Sequence, residues 1–434
     1  MTVHAQTRLT FDGALRRAME VNNSVERTRE QIGVASAQRD QLLSAVLPRI
    51  TLNGDLTRNS IEQRFGEGEE SIAILPRNDW GYRITLEQPV YAGRRELRAY
   101  SQAKLNVENA REGVRGSEDA ALLRVASSYL GVVNADRRVD VERRNIELAE
   151  RRLAQARAFY EAGEVTKVDV YRAETAMKAA QRMLAVAAQQ REHAVAALRT
   201  ELDLDGAIEV TTPERDLPPL PAESELIARA EASRPDVDVA ENNVRIAQLE
   251  VSKQRGFWLP TVRFDGGFVQ QKTPFPANQY AYGALRFTVP IFQSGEVIAR
   301  VAGAKSVEKQ AEIALDETKI NAREDVRRAL ADLRSAEIGL QLAGEQLQAA
   351  QAEYEQAFDL YRAQEATSLD VASSETSLAD ARRAVAEETL NRDLAQLRVW
   401  YAAGDIKTAL AVAALSEAQS EGEGAKESNG VDKE

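Results

Sequence analysis

Large apolar residues recur at every seventh position along two long stretches of the chain. They are Val125, Val132, Val139, Ile146, Leu153 and Tyr160 in the first half, and Val326, Leu333, Leu340, Leu347, Tyr354 and Tyr361 in the second. In the second half, alanine follows three positions later at Ala329, Ala336, Ala343, Ala350 and Ala357. A seven-residue repeat with large residues at one seam position and small residues at the other predicts long helices that pair at close range.

Each of these stretches leads into a short turn and then into a second apolar repeat. The second repeats contain Val170, Met177 and Leu184 in the first half, and Val371, Leu378 and Val385 in the second. We therefore expect an antiparallel helical hairpin in each half, over about 94–203 and about 295–413. The outgoing helix of the first hairpin would be roughly 100 Å long, at about 1.5 Å per residue.

Ahead of each long helix, apolar and polar residues alternate in two short segments. This alternation predicts strands at about 49–58, 80–91, 261–271 and 280–291. The positions opposite the apolar ones carry charges, for example Arg83, Glu87, Arg263, Asp265 and Arg286. Tyr282 is out of phase with the alternation. A long charged segment, residues 60–79, separates the first two strands and is expected to form a loop.

The apolar side of these segments suits a membrane. Each segment has the length of a tilted transmembrane strand, and its apolar positions are rich in aromatic residues. The residues expected to face lipid are Trp80, Tyr82, Ile84, Leu86, Val262, Phe264, Phe268 and Phe287. Lipid does not tolerate open sheet edges, and a closed barrel needs about eight strands, so four strands per chain would require an oligomer. The alternative is a soluble sheet packed on the helices.

The chain is a tandem duplication. Tyr160–Val170 aligns with Tyr361–Val371 at a shift of about 201 residues, and Gln88–Tyr91 aligns with Val289–Phe292. Leu47-Pro48 matches Leu259-Pro260 at a slightly larger shift. We expect a first repeat over 9–211, a Pro-rich linker over 212–223 and a second repeat over 224–413. The acidic segment 414–434 has the composition of a disordered tail.

Composition excludes several classes of chemistry. The 434 residues include no cysteine and two histidines, so Cys/His zinc sites, thiol catalysis and Ser–His systems have almost no residues to use. The net charge of −12 argues against a nucleic-acid partner. Glutamates interleave the arginine pairs between Arg137 and Arg152, which favours a solvated, salt-bridged helix face. We expect no catalytic residues, no metal site and no cofactor, and therefore not an enzyme.

The first six residues leave two interpretations open. They lack the basic and apolar regions of an export signal, as a cytoplasmic start would. Yet Val3-His4-Ala5 resembles the end of a small-x-small cleavage site, as in a trimmed signal peptide.

With these motifs in order, the sequence resembles the outer membrane efflux protein family, the TolC-like ducts, from Leu9 to about Ala413. The matching motifs are Leu9–Leu15, the Leu-Pro before the first strand of each half, Pro89–Gly93, Pro290–Gly295, and the turns after Tyr160 and Tyr361. The resemblance implies a mainly helical chain with membrane β-structure: a duplicated unit of four strands and long antiparallel coiled-coil helices. Three chains would form a 12-stranded β-barrel and a helical periplasmic tunnel.

The same resemblance implies a function. Such ducts are passive outer-membrane exits of tripartite efflux pumps or type I secretion systems, and they pass small molecules or proteins. Their partners are a periplasmic adaptor (membrane fusion) protein, an inner-membrane pump and outer-membrane lipid. The competing interpretation is a soluble coiled-coil scaffold, which cell fractionation would distinguish. The acidic balance hints at cationic cargo, but net charge bears more on steering than on identity.

The two hairpin turns are the candidate functional sites. By resemblance they form the adaptor-docking tip, made of Gly163, Glu164, Val165, Thr166, Gln364, Glu365, Ala366 and Thr367. Asp370, Tyr361 and Asp169 would lie at the periplasmic entrance, with three copies of Asp370 forming a charged ring. Thr166-x-x-Asp169 and Thr367-x-x-Asp370 also have the pattern of capping boxes, which gives both aspartates a structural role.

Some positions depart from the family pattern. Gly163 suits a left-handed helix C-cap, but Gln364 replaces the glycine expected in the second turn. Ala366 stands where a gate-bonding arginine can occur, and Ser373 where a second aspartate can. Arg191 and Arg392 interrupt the apolar repeats of the return helices, so they either fix the helix register or line the tunnel.

Overall fold

The computed structural model describes residues 7–66, 71–212, 217–273 and 276–410. Several sequence predictions fall wholly or partly outside these ranges, among them the signal-peptide question at residues 1–6, part of the loop at 67–70, part of the linker at 213–216, the end of the second repeat at 411–413 and the tail at 414–434. Within the described ranges, no helix has the length and apolar character needed to cross a membrane.

Eight α-helices account for most of the described chain. They are α1 (Phe11–Val21), α2 (Asn23–Ser44), α3 (Arg95–Glu161), α4 (Lys167–Glu201), α5 (Glu223–Ser233), α6 (Pro235–Arg255), α7 (Glu296–Arg362) and α8 (Ser368–Ala402). The strands of the described ranges are β1 (Thr7–Leu9), β2 (Arg49–Arg58), β3 (Gln63–Phe65), β4 (Ile72–Leu75), β5 (Asn78–Ala92), β6 (Ile208–Val210), β7 (Thr261–Gln271) and β8 (Gln279–Thr288). Helices α3 and α7 both have 67 residues, and α4 and α8 both have 35, as expected of duplicated hairpins.

The chain divides into two compact units, and each unit takes segments from both repeats. One unit comprises the residues up to Thr28, Val114–Val237 and the residues from Lys319 onward, and the other comprises Arg29–Gly113 and Asp238–Thr318. The two repeats are therefore units of sequence, whereas each compact unit is built from both of them.

The first unit has its main apolar core around Tyr129, which is fully buried on α3. The Tyr129 hydroxyl donates to the carbonyl oxygen of Thr211 at 2.6 Å, and its ring meets that of Phe11 edge-on at 5.1 Å. Beside this core, β1 pairs in parallel with β6. The sequence pattern does not predict this pair, because three-residue strands are too short to show an alternation.

The predicted helical seam is present. The seventh-position residues Val125, Val132, Val326 and Leu333 are buried, as are seam alanines such as Ala343. Small residues at the seam let neighbouring helices approach closely while the large residues fill the space between them. The prediction of long paired helices from the heptads is therefore confirmed.

The second unit contains an antiparallel four-stranded sheet in the order β2-β5-β7-β8. Its register brings residues of like character together: Leu52 lies opposite Ile84, which lies opposite Phe268. All the residues expected to face lipid lie on this apolar face, while Arg83, Glu87, Arg263 and Asp265 occupy the other. Successive residues of a strand point to opposite faces of the sheet. The predicted alternation of apolar and polar residues therefore gives this sheet one apolar face and one charged face.

One strand prediction and one loop prediction were wrong in detail. β8 ends at Thr288, three residues before the predicted end, and the following Ile291 is 95% exposed. The segment after Thr288 has no neighbouring strand in the described chain with which to form a ladder. Within the segment predicted as a loop, β3 and β4 form a small antiparallel hairpin.

Glycine explains why Tyr282 is out of phase. Tyr282 lies opposite Gly267 on the charged face, and a Cβ atom added at Gly267 would come within 2.8 Å of the tyrosine ring. The missing side chain at Gly267 leaves the space that the ring occupies. Phe264 uses the other face in the same way, since its ring lies over Gly266.

Another glycine explains the motif at the strand-to-helix junction. Gly93 has φ +65°, and a Cβ atom there would lie 2.2 Å from the carbonyl oxygen of Gly256. Neither the backbone conformation nor the close approach admits a side chain. Gly93 therefore fixes the point where β5 turns into α3.

Candidate functional site at the hairpin turns

Both return helices begin with the predicted capping boxes. The backbone N–H of Thr367 donates to Asp370 Oδ2 at 2.8 Å, and the Thr367 hydroxyl donates to the same oxygen at 2.7 Å. In the first turn, Thr166 makes the equivalent bonds to Asp169 Oδ2 at 3.2 and 2.9 Å. Each carboxylate satisfies N-terminal donors that the helix itself leaves free. The capping role predicted for both aspartates is confirmed.

The two turns share one backbone conformation despite their different sequences. Gly163 has φ +77° and Gln364 has φ +65°, both in the left-handed region. The outgoing helices are closed by equivalent bonds: the N–H of Glu164 donates to the Phe159 carbonyl and that of Glu365 to the Leu360 carbonyl, each at 2.8 Å. The second turn thus keeps a glycine geometry with a glutamine, which costs backbone strain.

The two capping aspartates differ in their surroundings. Asp370 is exposed, and the hydrogen bonds from the Thr367 side chain and backbone lower its pKa. Asp169 accepts a further bond from the Ser368 hydroxyl at 2.5 Å, which ties the first turn to α8. That bond is the main cause of the lowered pKa of Asp169, with Thr166 adding to it against a partial burial.

Tyr361 is packed inside rather than presented to solvent. It is 4% exposed, contacts Phe159 edge-on at 5.4 Å, and belongs to a cluster with Leu148, Val371 and other apolar residues. Burial raises the pKa of Tyr361, and the nearby charge of Asp169 adds to the effect. Among the described residues, its hydroxyl has no hydrogen-bond partner. Tyr361 and Asp169, two of the three residues expected at the entrance, therefore lie near each other within one chain.

Arg152 is a site residue that sequence reasoning missed. Its side chain is 4% exposed, pairs with Glu375 at 3.0 Å and donates to the carbonyl oxygen of Ser368 at 3.1 Å. Burial raises the pKa of Glu375, and Arg152 opposes that shift. Arg152 directly precedes Leu153 of the apolar repeat, but this position does not show that α8 packs over it.

The prediction of a solvated face was wrong for part of the arginine-rich stretch. Glu142 is 5% exposed and accepts from Arg383 of α8 at 2.6 Å. Burial is the largest influence on the pKa of Glu142 and works to raise it, but the hydrogen bonds from Arg383 and Asn145 together with the nearby arginine charges outweigh burial and leave the pKa lowered. By contrast, Arg143 and Arg151 are exposed and pair along their own helix, as predicted.

Several polar contacts therefore join the first hairpin to α8 of the second, and three of them involve either two charged side chains or a capping aspartate. These three are Glu142–Arg383, Arg152–Glu375 and Asp169–Ser368, which we call the inter-hairpin contacts. Buried polar groups that satisfy one another fix the relative position of two packed elements, because any slippage leaves a charge unpaired. These contacts determine how closely the two turns are held together.

The outer surface of the turns is open. Six of the eight residues expected at the adaptor-docking tip are exposed, whereas Val165 and Ala366 are half-buried. The first turns of the return helices add exposed apolar side chains at Val168, Tyr171 and Leu369. Exposed apolar residues beside polar turns are typical of protein interaction surfaces.

The two arginines of the return helices have ion-pair partners. Arg191 pairs with Asp136 of α3 and, at 3.2 Å, with Glu192. Arg392 pairs with Asp393 at 2.9 Å. In the described ranges, no group of three or more His, Cys, Asp or Glu side chains could hold a metal ion.

Comparison with known proteins gives consistent matches. The family model "Outer membrane efflux protein" matches residues 14–202 and 226–405. The outer membrane efflux protein BepC of Brucella suis biovar 1 (strain 1330) is 24% identical over 388 residues, which span 87% of this chain and 81% of BepC. The solved structure of CusC matches with a TM-score of 0.79 at 17% identity, covering 91% of this chain and 92% of CusC. The open-state structure of the Neisseria gonorrhoeae MtrE outer membrane channel matches with a TM-score of 0.75 at 19% identity, covering 91% and 89%.

Proposed function

Because the chain belongs to the outer membrane efflux protein family, we propose that three copies assemble into one passive exit duct through the outer membrane. Efflux across that membrane is the activity of the family. The observation that carries the proposed assembly is the four-stranded sheet, which has one apolar face and one charged face. Four strands are too few to close a barrel, so a lipid-embedded sheet of this kind needs strands from other copies.

In this assembly twelve strands enclose a pore lined by the charged face. The aromatic-rich face, with Trp80, Tyr82 and Phe264 among its residues, meets lipid. The helical hairpins of the three copies surround a periplasmic tunnel, and the turns near Gly163 and Gln364 form its inner mouth. Cargo moves through this path without chemistry by the duct, as in a tripartite efflux pump or a type I secretion system.

We assign the exposed surface of the turns to a periplasmic adaptor protein, which links the duct to an inner-membrane pump. Open polar positions such as Glu164 and Glu365 lie beside the apolar side chains of Val168 and Leu369. A photo-cross-linking amino acid at either glutamate should capture the adaptor in intact cells. The same group at Glu337, in the middle of α7, is the matched control and should not capture it.

The soluble scaffold interpretation is disfavoured by the sheet. Leu56 is 89% exposed and Phe287 is 73% exposed on one face of the single chain. A water-soluble protein rarely leaves so continuous an apolar face uncovered.

Cell fractionation and particle mass test the assembly together. The full chain should remain with the outer membrane, require detergent for release, and then have the mass of three chains. A protein released by salt alone, or one that is monomeric in mild detergent, would contradict the proposal.

A further inference from the structure

The two edge strands of the sheet each have a counterpart in the other repeat, and these two counterparts pair with each other. Within the described residues, β2 and β8 each have one neighbour, whereas β5 and β7 pair with each other in the middle of the sheet. The duplication makes β7 the counterpart of β2, since Leu259-Pro260 matches Leu47-Pro48. It likewise makes β8 the counterpart of β5, since Val289–Phe292 matches Gln88–Tyr91.

The duplication is accurate to the residue in the strands. In the first repeat, β2 and β5 place Arg49 opposite Glu87, and in the second β7 and β8 place the counterparts, Thr261 and Thr288, opposite each other. The far ends of the strands obey the same rule, with Arg58 opposite Asn78 and Gln270 opposite Gln279. Pairing in one repeat therefore predicts pairing in the other without a shift.

We propose that β8 of one copy pairs with β2 of a second copy in the register that β5 and β7 use within the chain, with Arg286 opposite Asp55. This inference rests on the trimer proposed above. Within the chain, Thr85 of β5 lies opposite Gly267 of β7. The counterparts of these two residues are Arg286 and Asp55, so the transferred register joins a cation to an anion between copies.

Charge and alternation select this register over its neighbours. A slip of one residue would move Arg286 to the apolar face, which lipid would penalise. A slip of two residues would place Arg286 opposite Asn53 or Thr57, neither of which is charged. Arg286 is 66% exposed in the single chain, and its Nε forms an ion pair with Asp265 at 2.7 Å, so its two terminal amino groups are available to a second carboxylate.

The apolar face agrees with the same register. When the β5–β7 register is applied to β8 of one copy and β2 of another, Leu285 lies opposite Leu56, Val289 opposite Leu52, and Phe292 opposite Ile50. All six side chains are exposed in the single chain, and Phe292 is 85% exposed. The pairing also gives the segment after Thr288 the strand neighbour that it lacks. In these three pairs an apolar residue meets another apolar residue, while Phe287 lies opposite Gly54.

The helices give an independent indication of the same neighbour. α6 packs on α3, with Gln102 donating to the Ile246 carbonyl at 3.1 Å, and it buries Ala247 and Val251. Its counterpart α2 buries Val25 alone among its residues and leaves Val34, the counterpart of Ile246, 59% exposed. By the duplication, the partner of α2 is α7 of the copy whose β8 pairs with β2.

Cysteine pairs test the register directly, because the chain has no cysteine of its own. The full-length double variant Asp55→Cys with Arg286→Cys should form an intermolecular disulfide in the outer membrane under a mild oxidant. Directly opposed residues in a sheet have Cα atoms about 4.5–5.5 Å apart, within disulfide range. Non-reducing gels should show chains linked up to the trimer, and each single variant should show none.

Matched pairs measure the register itself. Arg286→Cys combined with Asn53→Cys or with Thr57→Cys tests a slip of two residues on the same face, and either pair should link at least tenfold less. Preferential linking of one of these pairs in a trimeric protein would overturn the register and leave the trimer intact. Failure of every pair in a protein of trimer mass would overturn the β8–β2 contact. A monomeric mass without cross-links would overturn the proposed assembly itself.

Discussion

The guanidinium of Arg152 and the carboxylate of Glu375 lie 3.0 Å apart, and their side chains are 4% and 14% exposed. They belong to different hairpins, one to α3 and the other to α8. Arg152 also donates to the Ser368 carbonyl, so a single buried cation contacts both the side of α8 and its first residue. This relationship explains how the second turn is held against the first hairpin.

Removing Arg152 should destabilise the protein strongly. Arg152→Ala leaves Glu375 buried without its partner, and breaking a buried ion pair in this way costs about 3–5 kcal/mol. Arg151→Ala is the matched control, because Arg151 is exposed and its pair with Glu147 at 4.0 Å should contribute less than about 1 kcal/mol. Denaturant titration of the detergent-solubilised protein measures both. Equal effects of the two variants would mean that Arg152 is hydrated.

The bond between Ser368 and Asp169 should depend on pH in a defined direction. Its loss in Ser368→Ala should lower the free energy of unfolding by about 1 kcal/mol. Because the pKa of Asp169 is lowered in the folded protein, this contribution is present above the ordinary aspartate pKa of about 3.9 and is lost as the pH falls through the lowered value.

Unfolding titrations at a series of pH values measure the difference between wild type and Ser368→Ala. The difference should be constant from about pH 7 to about pH 5 and shrink below about pH 4. In an Asp169→Asn background, the pH dependence of this difference should disappear. A difference that grows on acidification would refute the role of the Asp169 carboxylate.

The two left-handed turn positions should respond to substitution with opposite signs. Gly163→Ala introduces a Cβ at φ +77° and should cost about 1–2 kcal/mol by backbone strain alone, since nothing lies within 4 Å of that Cβ. Gln364→Gly removes the same strain and should raise the free energy of unfolding by up to about 1 kcal/mol. The greater entropy of glycine in the unfolded chain reduces this gain. Thermal unfolding compares the two variants. A stabilising Gly163→Ala would show that the first turn adopts another conformation.

Adjacent residues on opposite faces of β5 test the membrane assignment of the sheet. Ile84→Arg should lower trimer stability by about 2–4 kcal/mol near the bilayer midplane and less near an interface. Arg83→Ile, on the charged face, should change it by less than about 1 kcal/mol. The temperature at which detergent-purified trimers dissociate measures both effects. Equal tolerance of the two changes would contradict the assigned faces.

The family and the fold were predictable because they depend on features that repeat. The heptads from Val125 to Tyr160 and from Val326 to Tyr361 predict paired helices wherever they fold, and the alternation around Ile84 predicts a two-faced strand. Because the chain is duplicated, each helix and strand is predicted twice, once in each repeat. The capping boxes at Thr166 and Thr367 were predictable for a related reason, since they depend on residues three positions apart.

Features that depend on distant contacts were not predictable. The burial of Arg152 and Glu142 depends on where α8 packs, which their own surroundings in the sequence do not reveal. The position of Tyr282 depends on a glycine in another strand. The end of β8 at Thr288 depends on the neighbour that the strand lacks, because extended residues form a ladder only when another strand lies beside them.

Asp370 should influence ion flow through the inner mouth. In the proposed trimer three exposed carboxylates face one axis, and rings of charged side chains commonly set cation selectivity in pores. Since hydrogen bonds from Thr367 lower the pKa of Asp370, the ring should remain charged at neutral pH. Divalent cations added on the periplasmic side should block conductance, and Asp370→Asn should weaken that block. Asparagine still accepts the capping bond, so the helix should lose little stability. An unchanged block would leave Asp370 with its capping role alone.

Single-channel recording of the purified wild-type protein in planar bilayers tests most directly whether three copies form one continuous path. We expect uniform conductance steps that are small, cation-selective and produced by particles of trimer mass. Folded trimers that insert into the bilayer and never conduct, even after Asp370→Asn, would contradict a duct that runs through the barrel and the tunnel.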